Sequence, residues 1–93
     1  MFALLITFVG SRDAVEALMG DHVAWLETHH GSGAFLVSGP SGEGGGVILA
    51  RGDDRAEAEA LAASDPLVRG GVATTEVVQF RASQTAPGLS AWS

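Results

Sequence analysis

The apolar run at the start of the chain constrains the fold more than any other feature. Side chains of a strand alternate between the two faces of a sheet, so a strand that is apolar at every position needs cover on both faces. One alternating set is Phe2, Leu4, Ile6 and Phe8, and the other is Ala3, Leu5 and Val9. The run is shorter than the roughly 20 residues of a membrane span and has no basic n-region or cleavage-like site. We therefore expect a central strand of a globular, cytoplasmic protein.

The patterns after this strand predict two main helices and three more strands. The first helix places Leu18, His22 and Leu26 on one side, is capped at Ser11 or Asp13, and ends at Gly31 or Gly33. A glycine-rich link, 39–45, joins the next two strands, and Asp65 with Pro66 opens a short helical segment before the last strand. The remaining elements are expected at 34–38 and 46–51 (strands), 55–64 (helix) and 72–80 (strand).

The order βαββαβ predicts an α+β fold of the ferredoxin-like type, with a four-stranded antiparallel sheet and two helices on one face. A chain of 93 residues has a small core, and the other sheet face has no cover. Two such sheets packed face to face would cover each other, which predicts a homodimer or a higher homo-oligomer. We expect one domain over residues 1–81 and a tail over 82–93, in which Trp92 could act as an anchor.

Composition excludes several functional classes. The formal net charge is -6 and no basic cluster interrupts it, so a nucleic acid is a poor partner. The chain has no cysteine, which removes disulfides and thiolate nucleophiles. His29 and His30 have no third ligand at metal spacing, so we expect no metal and no cofactor. A phosphate loop needs a lysine and a following helix, and the glycine-rich segment 42–46 has neither. This segment is therefore either a lid or a plain hairpin.

Two polar residues stand out as candidates for chemistry. His22 lies within the apolar side of the first helix, where it is either a core histidine with one hydrogen bond or a functional group with a partner. Asp65 is either a simple helix cap or that partner, because a cap position holds a carboxylate at a helix start. Ser38, beside Gly39 and Pro40, is either the end of a strand or part of a pocket wall.

The sequence resembles the YCII-related proteins of the dimeric α+β barrel superfamily over about residues 1–81. The resemblance is carried by His22, by the segment 33–40 (Gly-Ala-Phe-Leu-Val-Ser-Gly-Pro), by 65–68 (Asp-Pro-Leu-Val) and by 71–72 (Gly-Val). It implies that His22 and Asp65 form an active-site dyad. A carboxylate beside an imidazole fixes its tautomer and strengthens it as a general base.

The function expected from these residues is acid–base chemistry, either proton abstraction or elimination, on a small organic molecule. His22 and Asp65 would be catalytic in an enzyme of the lyase or isomerase type, and Ser38, Gly39 and Pro40 would contact the substrate. A noncatalytic ligand-binding or assembly module on the same scaffold is the alternative. The third hypothesis is a relative that binds haem, and this function would need a large apolar cavity beside a histidine.

Overall fold

The structure, a computed structural model, describes residues 1–42 and 44–89. The strands and helices found there follow the predicted order βαββαβ, with a short extra helix before the last strand. All strand pairs are antiparallel, and the sheet order β2-β3-β1-β4 places β1 in the centre. The elements are β1 (Phe2–Phe8), α1 (Arg12–Gly31), β2 (Phe35–Pro40), β3 (Gly45–Ala50), α2 (Arg55–Ala63), α3 (Pro66–Arg69) and β4 (Ala73–Gln79).

Local sequence signals fix the ends of the helices. The Ser11 side chain caps α1 by accepting a hydrogen bond from the Ala14 amide at 3.2 Å. Beyond the end of α1, Gly33 has a φ of 84°, a conformation that glycine adopts without steric cost. Asp54 caps α2 through the amides of Ala56 and Glu57. These contacts position α1 and α2 for packing on the sheet.

The core lies between the helices and one face of the sheet. Phe2, Leu4 and Ile6 of β1 point into it and are buried, and they pack with buried side chains of the other elements. Burial of one large apolar side chain contributes about 1.5–3 kcal/mol to folding. The main buried contributions from elsewhere in the chain are Val15, Phe35, Ile48, Leu67 and Val72.

The opposite face of the sheet has no helix on it within the described residues. We expected β1 to be covered by helices on one face and by a second copy of the chain on the other, and the single chain covers the first of these faces. The register of the four strands places six apolar side chains on the uncovered face, together with Thr7, Thr74 and Glu76: Ala3, Leu5, Val37, Val47, Leu49 and Val78. Of these, Val37 is 45% exposed. We call this set of six residues the open face.

The hairpin between β2 and β3 is tighter than predicted. Gly39 and Pro40 belong to β2, where they pair with Val47 and Gly46, rather than to a link running from 39 to 45. Proline cannot donate to a strand partner, but β2 is an edge strand and Pro40 is its last residue, so this position tolerates it.

The remaining described segment, 80–89, contains no helix or strand. Trp92, the expected anchor of the tail, lies outside the described residues. Across residues 1–42 and 44–89, none of the helices combines the length and apolar character that a membrane crossing requires.

Candidate active site

His22 and Asp65 are 43 residues apart in the chain and meet directly. Nδ1 of His22 lies 2.8 Å from Oδ1 of Asp65. Only 9% of His22 is exposed, and Asp65 is 0% exposed. Charged residues are almost never buried this completely without a partner. Both residues stand out in the sequence as candidates for chemistry, and the structure brings them into hydrogen-bond contact.

The position of Asp65 follows from its role as the N-cap of α3. Its Oδ1 also accepts a hydrogen bond from the backbone amide of Leu67 at 2.9 Å, and Pro66 occupies the first helical turn. The cap and the partner of His22 are therefore the same oxygen atom. Oδ2 is buried and has no hydrogen-bond partner among the described residues.

The hydrogen bond to Asp65 determines which nitrogen of His22 is available. In the tautomer that is protonated at Nδ1, His22 donates this hydrogen bond to Asp65, because an ionised carboxylate only accepts hydrogen bonds. Nε2 of the neutral ring then has a free lone pair. Among the described residues, the ring makes no hydrogen bond other than the one to Asp65. In that tautomer, Nε2 is the ring nitrogen that has no hydrogen-bond partner among the described residues.

His22 lines a cleft of about 210 Å³ between α1, the central strands and the β2–β3 hairpin. Ser38, Gly39 and Pro40, the expected substrate contacts, all line this cleft. The walls are mostly apolar, and His22 and Ser38 contribute polar side chains. No arginine or carboxylate is among the described residues of the lining. The other lining residues are Ile6, Phe8, Met19, Val23, Leu26, Gly45, Gly46, Val47 and Ile48.

A second histidine contacts the cleft through Ser38. Nε2 of His30 lies 2.8 Å from Oγ of Ser38. This pair could not be predicted from the sequence, where His30 was weighed only as a metal ligand, because a contact between a helix and a strand depends on their packing. Within residues 1–42 and 44–89, no group of three or more histidine, aspartate or glutamate side chains is arranged to hold a metal.

Trp25 supports the site from the side of α1. Its ring centroid lies 5.6 Å from that of His22, and its Nε1 donates a hydrogen bond to Oγ of Ser64 at 2.9 Å. Ser64 directly precedes Asp65, so this contact ties α1 to the segment that carries the carboxylate. Trp25 also packs edge-on against Phe35, with ring centroids 5.1 Å apart.

Comparisons with known proteins agree with this architecture. The chain is similar to the solved 5-chloro-2-hydroxyhydroquinone dehydrochlorinase from Burkholderia phenoliruptrix AC1100, in complex with 2,5-dihydroxybenzoquinone, with 20% identity and a TM-score of 0.70. The match covers 87% of this chain and 94% of that one, and it shows a shared fold. No curated protein matches the sequence closely enough to count as a relative. The model of the YCII-related domain matches residues 1–81, so the chain belongs to the YCII-related family.

Proposed function

We propose that this protein is a small acid–base enzyme in which His22 is the general base and Asp65 orients it. The observation that carries the proposal is the 2.8 Å contact between His22 Nδ1 and Asp65 Oδ1 at the wall of a cleft. A base held by a carboxylate on one nitrogen and open on the other suits proton transfer. Ser38, Gly39 and Pro40 would contact the substrate.

In this proposal, Nε2 of His22 removes a proton from an acidic O–H or C–H group of the bound molecule. The electron pair left behind either shifts within the molecule, giving isomerisation, or expels a leaving group such as chloride, giving elimination. Asp65 stabilises the imidazolium that forms, because its Oδ1 accepts the hydrogen bond from Nδ1 throughout. The proton then passes from Nε2 to solvent or product.

The structural neighbour supports an elimination. That protein is a dehydrochlorinase, and loss of hydrogen chloride requires a base for the proton and an exit for the chloride. The apolar walls of the cleft also suit an organic molecule. At about 210 Å³, the cleft is smaller than the roughly 300–1,000 Å³ of pockets for larger ligands, which argues against a macrocycle such as haem.

We also propose that the protein acts as a homodimer. Six apolar residues form the open face, and water contact with such a surface is unfavourable. A second copy offers an identical, self-complementary apolar face. The expected cytoplasmic location stays a prediction.

The test uses 5-chloro-2-hydroxyhydroquinone as a probe and measures release of chloride by the purified protein. We expect release with wild-type protein and a loss of at least about 100-fold in His22→Gln, the usual size of a general-base contribution. His29→Gln is the matched control, since His29 lies on the same helix and does not line the cleft. Exchange of the α C–H protons of cyclohexanone in D₂O, followed by NMR, extends the test to proton abstraction from carbon.

The second candidate function is a noncatalytic module that binds a small ligand. The slight exposure of His22, at 9%, favours it, because a base needs contact with its substrate. If neither probe reacts faster with wild-type protein than with His22→Gln, while both proteins bind the probe, the enzyme proposal is wrong and the binding module is favoured.

A further inference from the structure

The His30–Ser38 pair gives the cleft a second polar contact point. Ser38 Oγ lies 2.8 Å from His30 Nε2, and Ser38 lines the cleft together with His22. His30 itself is not part of the lining. It sits behind Ser38, near the end of α1, and also packs edge-on against Phe35 with ring centroids 5.9 Å apart. His30 is therefore in a position to act on a ligand only through the serine hydroxyl.

The bond to His30 limits how the serine hydroxyl can turn. A hydroxyl has one proton to donate and two lone pairs to accept. When His30 accepts the proton, Ser38 keeps lone pairs for a ligand O–H group. When His30 donates from Nε2, the proton of Ser38 is free for a ligand oxygen. In both arrangements, Ser38 presents one oriented hydrogen-bonding group to an oxygen substituent.

The rest of the cleft defines the kind of ligand. A cavity of about 150 Å³ is enough to hold benzene, so a cleft of about 210 Å³ accommodates one six-membered ring with small substituents. The walls between the two polar points are apolar. No arginine among the described lining residues is available to pair with a phosphate or a carboxylate, and the chain contains no lysine. A neutral ring is favoured over a strongly anionic molecule.

We propose that the ligand is a single six-membered ring with two oxygen substituents, one bound at His22 and the other at Ser38, and that His30 is the positioning residue for Ser38. This inference rests on the proposed function for the role of His22 and adds the substrate class. His30, which lies on α1 and outside the cleft wall, then determines the preference for ligands that carry the second oxygen.

The experiment compares the binding of hydroquinone and phenol, which differ in one hydroxyl, by ligand-observed NMR. One net hydrogen bond corresponds to about a two- to tenfold difference in affinity. We expect wild-type protein to prefer hydroquinone by that factor, and Ser38→Ala and His30→Ala to remove the preference. The double variant should lose no more than either single variant, because the two residues act as one unit. Ser38→Thr, which keeps the hydroxyl, should retain the preference.

His29→Ala is the matched control. His29 is the neighbour of His30 in the last turn of α1 and packs on the same Phe35 ring, at 5.1 Å, but makes no contact with Ser38 among the described hydrogen bonds. The control should retain the wild-type preference. Equal affinities for both probes in wild-type protein, or an unchanged preference in His30→Ala, would overturn the inference. This experiment measures binding and not turnover. It therefore does not test His22 as the general base, which the chloride assay tests separately.

Discussion

Asp65 Oδ1 makes two hydrogen bonds, one with His22 Nδ1 at 2.8 Å and one in which it accepts from the Leu67 amide at 2.9 Å. The carboxylate is completely buried, so each of these contacts compensates for lost hydration. The same atom thus begins α3 and holds the ring of His22. Substitutions at Asp65 affect folding and chemistry together, and the two effects need separate measurements.

The first prediction concerns Asp65→Asn. Asparagine keeps an oxygen that can cap Leu67, but the amide does not stabilise an imidazolium as a carboxylate does. We expect kcat for chloride release from 5-chloro-2-hydroxyhydroquinone to fall by about 100-fold or more, with KM changed less than threefold. Steady-state kinetics measure both values. An increase in KM at unchanged kcat would contradict a role for Asp65 in orienting the base.

The second prediction compares two helix caps. Asp65→Ala removes the cap of α3 and leaves His22 Nδ1 without its partner, so we expect a loss of about 3 kcal/mol in the free energy of unfolding. Asp54→Ala removes an exposed cap of α2 and should cost about 1 kcal/mol. Urea denaturation followed by circular dichroism gives both values. Equal losses would mean that the contact with His22 adds no stability.

The third prediction concerns the glycines of the β2–β3 hairpin. A Cβ at Gly45 would overlap the carbonyl oxygen of Ile6 in the neighbouring strand, whereas a Cβ at Gly44 would meet no atom within 4 Å. We expect Gly45→Ala to destabilise the protein by about 2 kcal/mol and Gly44→Ala to change stability by less than about 0.5 kcal/mol. Thermal melts of the two variants provide the measurement. Similar melting temperatures would show that the close approach of β1 and β3 is not required.

The fourth prediction concerns the open face. Val37→Lys places a charge on this face, at a position that is 45% exposed in the single chain, so the fold should tolerate it. If two copies pack through this face, the lysine would be desolvated and the dimer should dissociate at least tenfold more readily. Ala24→Lys, at an exposed position on α1 and therefore on the helix-covered side of the sheet, is the control. Light scattering over a dilution series distinguishes dimer from monomer, and a wild-type monomer would contradict the proposal.

Much of the fold could be predicted because its signals are local. The alternation of Phe2, Leu4 and Ile6, the cap at Ser11 and the cap at Asp54 each determine an element without reference to distant residues. The order βαββαβ followed from these elements and is confirmed. The hairpin was predicted to be too long, because a Gly-Pro pair usually breaks a strand and the sequence does not reveal that β2 lies at the sheet edge.

The candidate site was harder to predict because it depends on packing between elements. The sequence singles out His22 and Asp65 as candidates. It does not show that Asp65 is fully buried, because that burial depends on contact with His22 of α1, 43 residues earlier in the chain. The pairing of His30 with Ser38 depends on how the end of α1 lies over β2, where the register also shifts between Phe35 and Val37. No periodicity in the sequence carries that information.

The two members of the central pair come from different halves of the chain. His22 belongs to the first strand–helix–strand unit, and Asp65 lies between the two helices of the second. Neither half contains both members of the pair, so under the proposed function proton transfer would begin only after both halves have docked. Catalytic activity would therefore report the completion of folding. Two fragments divided in the hairpin would be inactive when separate and would recover activity only by reassembling with each other.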